Sequence, residues 1–196
     1  MPRCGDTKVM SRRVVVEGAA AVEALVERAR RDDRDALAGL YDRFRDRVAR
    51  FATGRLGDAE KAEDVTSETF EAMLRNLRSY RAGTDFEAWL FTIAHRRVSD
   101  HFRRLGRRRE VELDERVQPT SEGPEDRLVA AEDRAEVARA FRELRADQQE
   151  VLSLRVLAGL SAAQVGQVLG KSEGAVRVAQ HRALTSLRAL MGVTAR

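Results

Sequence analysis

Aromatic side chains make up only 5% of this 196-residue chain, and cysteine, histidine and proline are as sparse. Each shortage excludes something. A single cysteine, Cys4, cannot form an internal disulfide. The three histidines, His95, His101 and His181, stand apart from it and from one another, so no metal-ligand spacing of the zinc type occurs and no metal or other cofactor is expected. Three prolines, with Pro119 and Pro124 close together, leave long stretches free to be helical. No apolar run is long enough to span a bilayer and no secretory signal is present, so the expectation is a cytoplasmic protein without membrane insertion. No nucleophile cluster and no glycine-rich phosphate loop accompanies the carboxylates, which argues against an enzyme. Charged residues are abundant, 35% of the chain, yet the net charge is only +4, so the information lies in their clustering.

What is present is Ala, Leu and Val at helical spacing. The chain reads as all-α, built from two small helical bundles rather than one thick core. The most distinctive stretch is 160–184. Ser161 with Gln164 forms a capping box. Val165, Val168 and Leu169 give a short helix its stripe, and Gly170 supplies a left-handed stop. Ser172 caps a second helix with Ala175, Val176, Ala179, Ala183 and Leu184 inward. Glu173, Arg177, Gln180, His181 and Arg182 point outward. This is the pattern of a helix-turn-helix whose second helix enters the major groove, although the residues alone also allow a plain helical hairpin.

Helices are expected over 18–31, 35–56, 58–79 and 86 to about 105, behind an N-terminal extension at 1–17 that is expected to be disordered; Met10 is a possible alternative start. The second has Leu37, Leu40, Tyr41, Phe44, Val48 and Phe51 inward; the third has Phe70, Met73, Leu74 and Leu77 inward. The third also carries an acidic stripe, Glu60, Asp64, Glu68 and Glu71, readable as a solvated face or as a dock for a basic partner. Tyr80, Arg81, Ala82, Gly83 and Thr84 form a loop, with Asp85 a candidate cap. The fourth helix has Phe86, Leu90, Ile93, Ala94, Val98 and Phe102 inward. It gathers Arg96, Arg97, His101, Arg103 and Arg104 on its outer face, a density that favours contact with a polyanion. Trp89 beside them reads either as core or as a stacking platform. Residues 110–126 lose the periodicity, hold Pro119, Gly123 and Pro124, and are strongly acidic, so they read as a linker between domains at 18–109 and 127–196. Beyond it come a helix ending near Leu144 and one starting at a capping box of Asp147 with Glu150.

LYDRFRDRVARFATGRLGDAEKAEDVTSETF, SYRAGTDFEAWLFTIAHRRVSDHFRR and LRADQQEVLSLRVLAGLSAAQVGQVLGKSEGAVRVAQHRALTSLR resemble, in this order, regions 2 and 4 of the extracytoplasmic-function sigma factors of bacterial RNA polymerase. The resemblance implies a protein that binds core RNA polymerase and opens promoter DNA without chemistry of its own. It places Glu60, Asp64, Glu68 and Glu71 against the clamp helices of the largest polymerase subunit. It places Tyr80 to Thr84, Trp89, Arg96, Arg97, His101, Arg103 and Arg104 on the −10 element. It places Lys171, Ser172, Glu173, Arg177, Gln180, His181 and Arg182 on the −35 element, with region 4 docked on the β-subunit flap. An anti-sigma factor is a further implied partner. A stand-alone helix-turn-helix regulator is the alternative, and it leaves the acidic stripe and the arginine-rich helix without a task.

Overall fold

In a computed structural model the described residues are 20–81, 84–111 and 128–192, with side chains placed up to Leu105 and again from Ala135. All regular structure among them is helical. The N-terminal group comprises α1 (20–29), α2 (Arg34–Leu56), α3 (Ala59–Asn76) with a 3-10 turn at Leu77–Ser79, and α4 (Phe86–Val111). The C-terminal group comprises α5 (Leu128–Glu143), α6 (Ala146–Leu152) running into a π-turn at Ser153–Leu157, α7 (Ala162–Leu169) and α8 (Glu173–Leu190).

Local chemistry sets the boundaries. Asp33 accepts hydrogen bonds from the Asp35 and Ala36 amides and starts α2; Gly57, at φ 67°, ends it. Asp58 caps α3 through the Lys61 amide, and Asp85 caps α4 through the Ala88 amide. The Ser161–Gln164 box, the Gly170 stop at φ 65° and the Ser172 cap are all as the sequence predicts. Two boundaries differ. Helix α4 continues to Val111, past the expected start of the linker at 110. Helix α6 begins at Ala146, with the Gln148 side chain accepting from the Arg145 amide, so Asp147 with Glu150 is not the box. The stretch 112–127 and the expected extension at 1–17 lie outside the described residues.

Phe44, Phe51 and Phe91 are fully buried, with Leu40, Leu90, Val48 and Val98 around them. A side chain of this size stabilises the fold by about 1.5–3 kcal/mol when buried. The expected inner faces are too wide at their edges. Tyr41, Leu74 and Phe102 are 40%, 51% and 42% exposed. Leu74 follows Met73 by one residue and so sits about 100° round the helix from it. Tyr41 lies against Phe70 (ring centroids 4.8 Å apart) while its hydroxyl accepts from Arg45, and Phe102 lies under the Arg55 guanidinium.

The two groups share one core. Val151, Leu154, Ala158, Leu160, Val165 and Val176 join the same buried cluster as the α1–α4 residues. Polar contacts follow the seam. The Arg47 guanidinium lies 5.4 and 5.5 Å from the Phe44 and Phe91 ring centroids, donates to Glu87 at 2.7 Å and donates to the Ala158 carbonyl at 2.8 Å. Gln164 donates to both Asp85 carboxylate oxygens, at 3.1 and 3.0 Å. Arg55 donates to Gln149 at 3.3 Å. Leu157 packs straight onto the α2 backbone at Gly54, where an added Cβ would lie 2.1 Å from its Cδ1.

A second close approach forms the helix-turn-helix. A Cβ on Gly166 would meet the Lys171 carbonyl oxygen at 2.5 Å, and the Lys171 amide donates to the Gly166 carbonyl at 2.9 Å. Gly166→Ala is therefore expected to destabilise the chain by about 1–3 kcal/mol, because backbone rather than a flexible side chain must move. Gly174→Ala, in open space within α8, is expected to be stabilising by about 0.4–1 kcal/mol. Thermal melts of the two variants, followed by circular dichroism, should move in opposite directions.

Candidate nucleic-acid interface

Helix α8 presents its exposed side from the cap onward. Lys171 and Ser172 are exposed at the turn. Arg177 donates to Glu173 through Nε at 3.1 Å and remains exposed, so its guanidinium is held along the helix rather than free. His181 and Arg182 are exposed. Gln180 departs from its neighbours: it is half-buried and accepts from Arg155 Nε at 2.8 Å. Arg155 also donates to the Leu160 carbonyl. It thereby ties the chain entering the helix-turn-helix to the middle of α8, a positioning role that no periodicity in the sequence signals. Ala175, expected inward, is exposed, and Val178 is 51% exposed among the basic residues. Ala175 departs from the expected stripe because α8 packs on α5, α6 and α7 along Val176, Ala179, Ala183, Leu184 and Leu187.

The second basic surface is on α4. Arg96 and Arg103 are exposed, Arg97 is half-buried, and Arg103 pairs with Asp100 at 2.8 Å. Arg104 approaches Glu68 of α3 at 3.9 Å, marking the line where the basic face of α4 meets the acidic face of α3. His101 differs from the arginines. Its Nε2 is buried without a hydrogen-bond partner, and burial first, then the nearby Arg104 and Lys61 cations, push its pKa below the ordinary 6.5. It is therefore mostly uncharged at neutral pH and offers phosphate no charge.

Before α4, Tyr80 is only 2% exposed, so it cannot itself face a ligand in this conformation. It packs on Phe86 and Trp89 (ring centroids 5.5 and 5.2 Å away), donates its hydroxyl hydrogen to the Thr84 carbonyl, and so anchors the loop. Burial raises its pKa. Trp89 is half-buried against that cluster, keeping one side open. Arg81 and Thr84 are exposed, with the Thr84 hydroxyl donating to the Arg81 carbonyl at 2.8 Å; Ala82 and Gly83 lie outside the described residues.

The acidic stripe divides in two. Glu60 and Asp64 are exposed and make no ion pair with a described residue. Glu71 pairs with Arg75 at 3.5 Å, and Glu68 faces Arg104. Among the described residues no group of His, Cys, Asp and Glu is arranged to hold a metal ion, and no helix is long and apolar enough to cross a membrane.

Two family descriptions match this chain in the order of its two helical groups. Sigma-70 region 2 matches residues 40–108, and Sigma-70 region 4 matches residues 140–189. The ECF RNA polymerase sigma factor BldN of Streptomyces coelicolor is 41% identical over 175 residues, 88% of this chain and 66% of BldN. ShbA of Streptomyces griseus is 39% identical over 86% of this chain and 94% of its own length, and SigD of Mycobacterium tuberculosis is 37% identical over 85% and 82%. The chain belongs to the ECF sigma factors of RNA polymerase. It is an alternative sigma factor, a protein of promoter-directed transcription initiation. The fold is shared with CnrH, solved in complex with the cytosolic domain of CnrY. The TM-score is 0.70 at 24% identity, over 89% of this chain and 99% of CnrH.

The seam between regions 2 and 4 in this sigma factor passes next to the basic face. His95, one residue before Arg96, hydrogen-bonds Glu150 of α6, with Nε2 and Oε1 2.5 Å apart. That hydrogen bond, assisted by Arg55 and Lys171 and opposed by burial, holds the Glu150 carboxyl below its ordinary 4.5. A depressed folded-state pKa gives stability that is fully present above the unfolded value and is lost as pH falls through the folded one. The urea midpoint is therefore expected to fall between about pH 5 and pH 3 more steeply for the native chain than for Glu150→Gln, and parallel curves would contradict the linkage.

Proposed function

We propose that this sigma factor reads the −35 element with α8 and the −10 element with the 80–84 loop and α4, while α3 docks on core polymerase. The single observation that supports the reading most is the exposed row Arg177, His181 and Arg182 on a Ser-capped second helix of a glycine-turned pair. In this reading the domain limits are region 2 through α4 and region 4 from α5, joined by the acidic stretch. Lys171 and Ser172 contact phosphate, and Glu173 orders the Arg177 side chain along the helix. Arg177, Gln180, His181 and Arg182 meet base edges, where each good contact discriminates by about 1–3 kcal/mol. Val178 adds an apolar surface suited to a thymine methyl group.

On the −10 side, Arg81, Ala82, Gly83 and Thr84 form the lip of a pocket for an unstacked base, with the open side of Trp89 as a platform. Arg96, Arg97, Arg103 and Arg104 hold phosphates. Tyr80 and His101 shape this surface from within. Opening DNA costs a few kcal/mol per unstacked base, which such contacts offset. Glu60 and Asp64, with Glu68 and Glu71 behind them, meet the basic side of the polymerase clamp helices, and region 4 meets the β-subunit flap. The protein acts in the cytoplasm, uses no cofactor and catalyses no reaction of its own. An anti-sigma protein is its natural inhibitor, a reading supported by fold relatives such as RpoE of Bartonella quintana, solved with the anti-sigma factor NepR.

Run-off transcription with purified core polymerase tests the reading. A promoter-specific transcript is expected, and none from a library of templates would overturn it. Arg182→Ala is expected to lower transcription by about 5- to 150-fold from a cognate −35 sequence and to relax preference there, the kinetic equivalent of about 1–3 kcal/mol. Asp64→Lys should weaken binding to core polymerase on the order of tenfold at low salt while leaving the thermal midpoint unchanged, since Asp64 is an exposed rim charge.

A further inference from the structure

Helix α8 carries one side chain whose hydrogen-bonding character is set from outside the helix. Gln180 ends in a carboxamide. A free carboxamide offers an acceptor and two donors side by side, the pair that suits N6 and N7 of adenine together. A guanidinium, by contrast, only donates. Arg155 Nε lies 2.8 Å from the Gln180 side chain, so the atom facing it is the oxygen, Oε1. The amide nitrogen is thereby turned the other way. Gln180 Nε2 makes no hydrogen bond with a described residue. Among those residues the buried side-chain atoms without a partner are Arg55 Nε and His101 Nε2, so Gln180 Nε2 is one that solvent reaches. We propose that Arg155 is a positioning residue that sets specificity: it holds Gln180 as a donor-only reader of a keto base, guanine or thymine, in the −35 element. The proposal rests on the assignment of α8 as the −35 reader.

Arg155 is itself fixed. It stands on the π-turn at Ser153–Leu157, and its Nη1 donates to the Leu160 carbonyl where the chain enters the helix-turn-helix. Two donors of one rigid fork are thus aimed at acceptors on different segments, which sets the angle at which Nε meets Gln180. On α8, Gln180 neighbours the buried Val176 and the exposed Arg177, so it lies at the edge where the helix leaves the core and its outer face begins. Arg177 is paired with Glu173, one turn closer to the cap, and leaves the Gln180 amide alone. In the major groove guanine shows N7 and O6 and thymine shows O4, all acceptors, whereas adenine N6 and cytosine N4 are donors. The Gln180 Nε2 donor matches the first two bases. Against the others two donors meet, and a desolvated donor left unpaired is costly. The charge on Arg155 acts in the same direction. Among the described residues it has no carboxylate partner, so its field favours an electronegative keto edge over an amino group. Without Arg155 the carboxamide is free to turn over, and the bidentate fit to adenine becomes available.

The experiment transcribes a barcoded template library, randomised through the −35 and −10 elements, with core polymerase and the full chain, and counts barcodes in the RNA. The native chain is expected to show one −35 position at which guanine or thymine exceeds adenine and cytosine by about fivefold or more. Gln180→Ala should erase the preference at that position, which identifies it. Arg155→Met should abolish the keto preference there and bring adenine to parity or above, while the position that answers to Arg182→Ala keeps its preference. Arg155→Lys retains a donor for Oε1 and should keep the keto preference. Gln180→Glu turns an acceptor toward the groove and should invert the preference to cytosine or adenine. A ratio of bases within one preparation does not depend on how much of the protein is folded, so a loss of stability in a variant does not imitate the change. An unchanged ratio in Arg155→Met, an equal loss on every template, a ratio lost in Arg155→Lys, or a keto preference that survives Gln180→Ala would overturn the proposal. An even response of the native chain to all −35 sequences would instead remove the assignment of α8 as the reader, and the proposal with it.

Discussion

Arg47 is the cation on which the two halves of this sigma factor depend. Its guanidinium is flanked by two buried phenylalanine rings, Phe44 and Phe91, and is neutralised by Glu87. Its Nε–H reaches the Ala158 carbonyl at the end of the π-turn. A charged side chain so placed is stable only when every partner is present, because removing one leaves a poorly solvated ion. The position of region 4 is thereby coupled to the packing of α2 and α4, and hence to the basic surface of α4.

A second coupling runs through caps. Gln164 closes the α7 capping box by accepting from the Ser161 amide at 2.7 Å, and its amide group donates to Asp85, which itself caps α4. One chain of hydrogen bonds therefore orders the starts of two helices in different regions. Arg155 does the same within region 4, linking the entry of the helix-turn-helix to Gln180. Side chains that a sequence pattern assigns to capping or to DNA thus also fix orientation, which is why Gln180 is half-buried rather than fully presented.

Charge is separated with the same double use of each face. Acidic Glu60 and Asp64 and basic Arg96 and Arg103 occupy faces of adjacent helices that meet at Glu68 and Arg104. A modest net charge conceals strong local fields, and such fields steer partners of opposite sign to different sides of one small bundle.

The sequence by itself determined the helices, most of their caps and stops, the helix-turn-helix, the acidic and basic faces and the family, because these follow from near-neighbour chemistry: helical periodicity, Ser and Asp at starts, Gly at left-handed ends. Among the candidate site residues, Tyr80 is buried and His101 and Gln180 are half-buried. Those side chains are polar and sit in a polar stretch, yet each is partly or wholly covered by a neighbour from a distant part of the chain or from the cluster it completes. Only the tertiary structure decided that Gly54 is a seat for Leu157, that Gly166 admits a carbonyl, and that Asp85, His95 and Arg47 look across to region 4. Apart from Gly166 with Lys171, each pairing joins residues far apart in the chain, from Arg47 to Ala158 or Asp85 to Gln164, and no local rule encodes a contact whose partner is set by how two bundles meet.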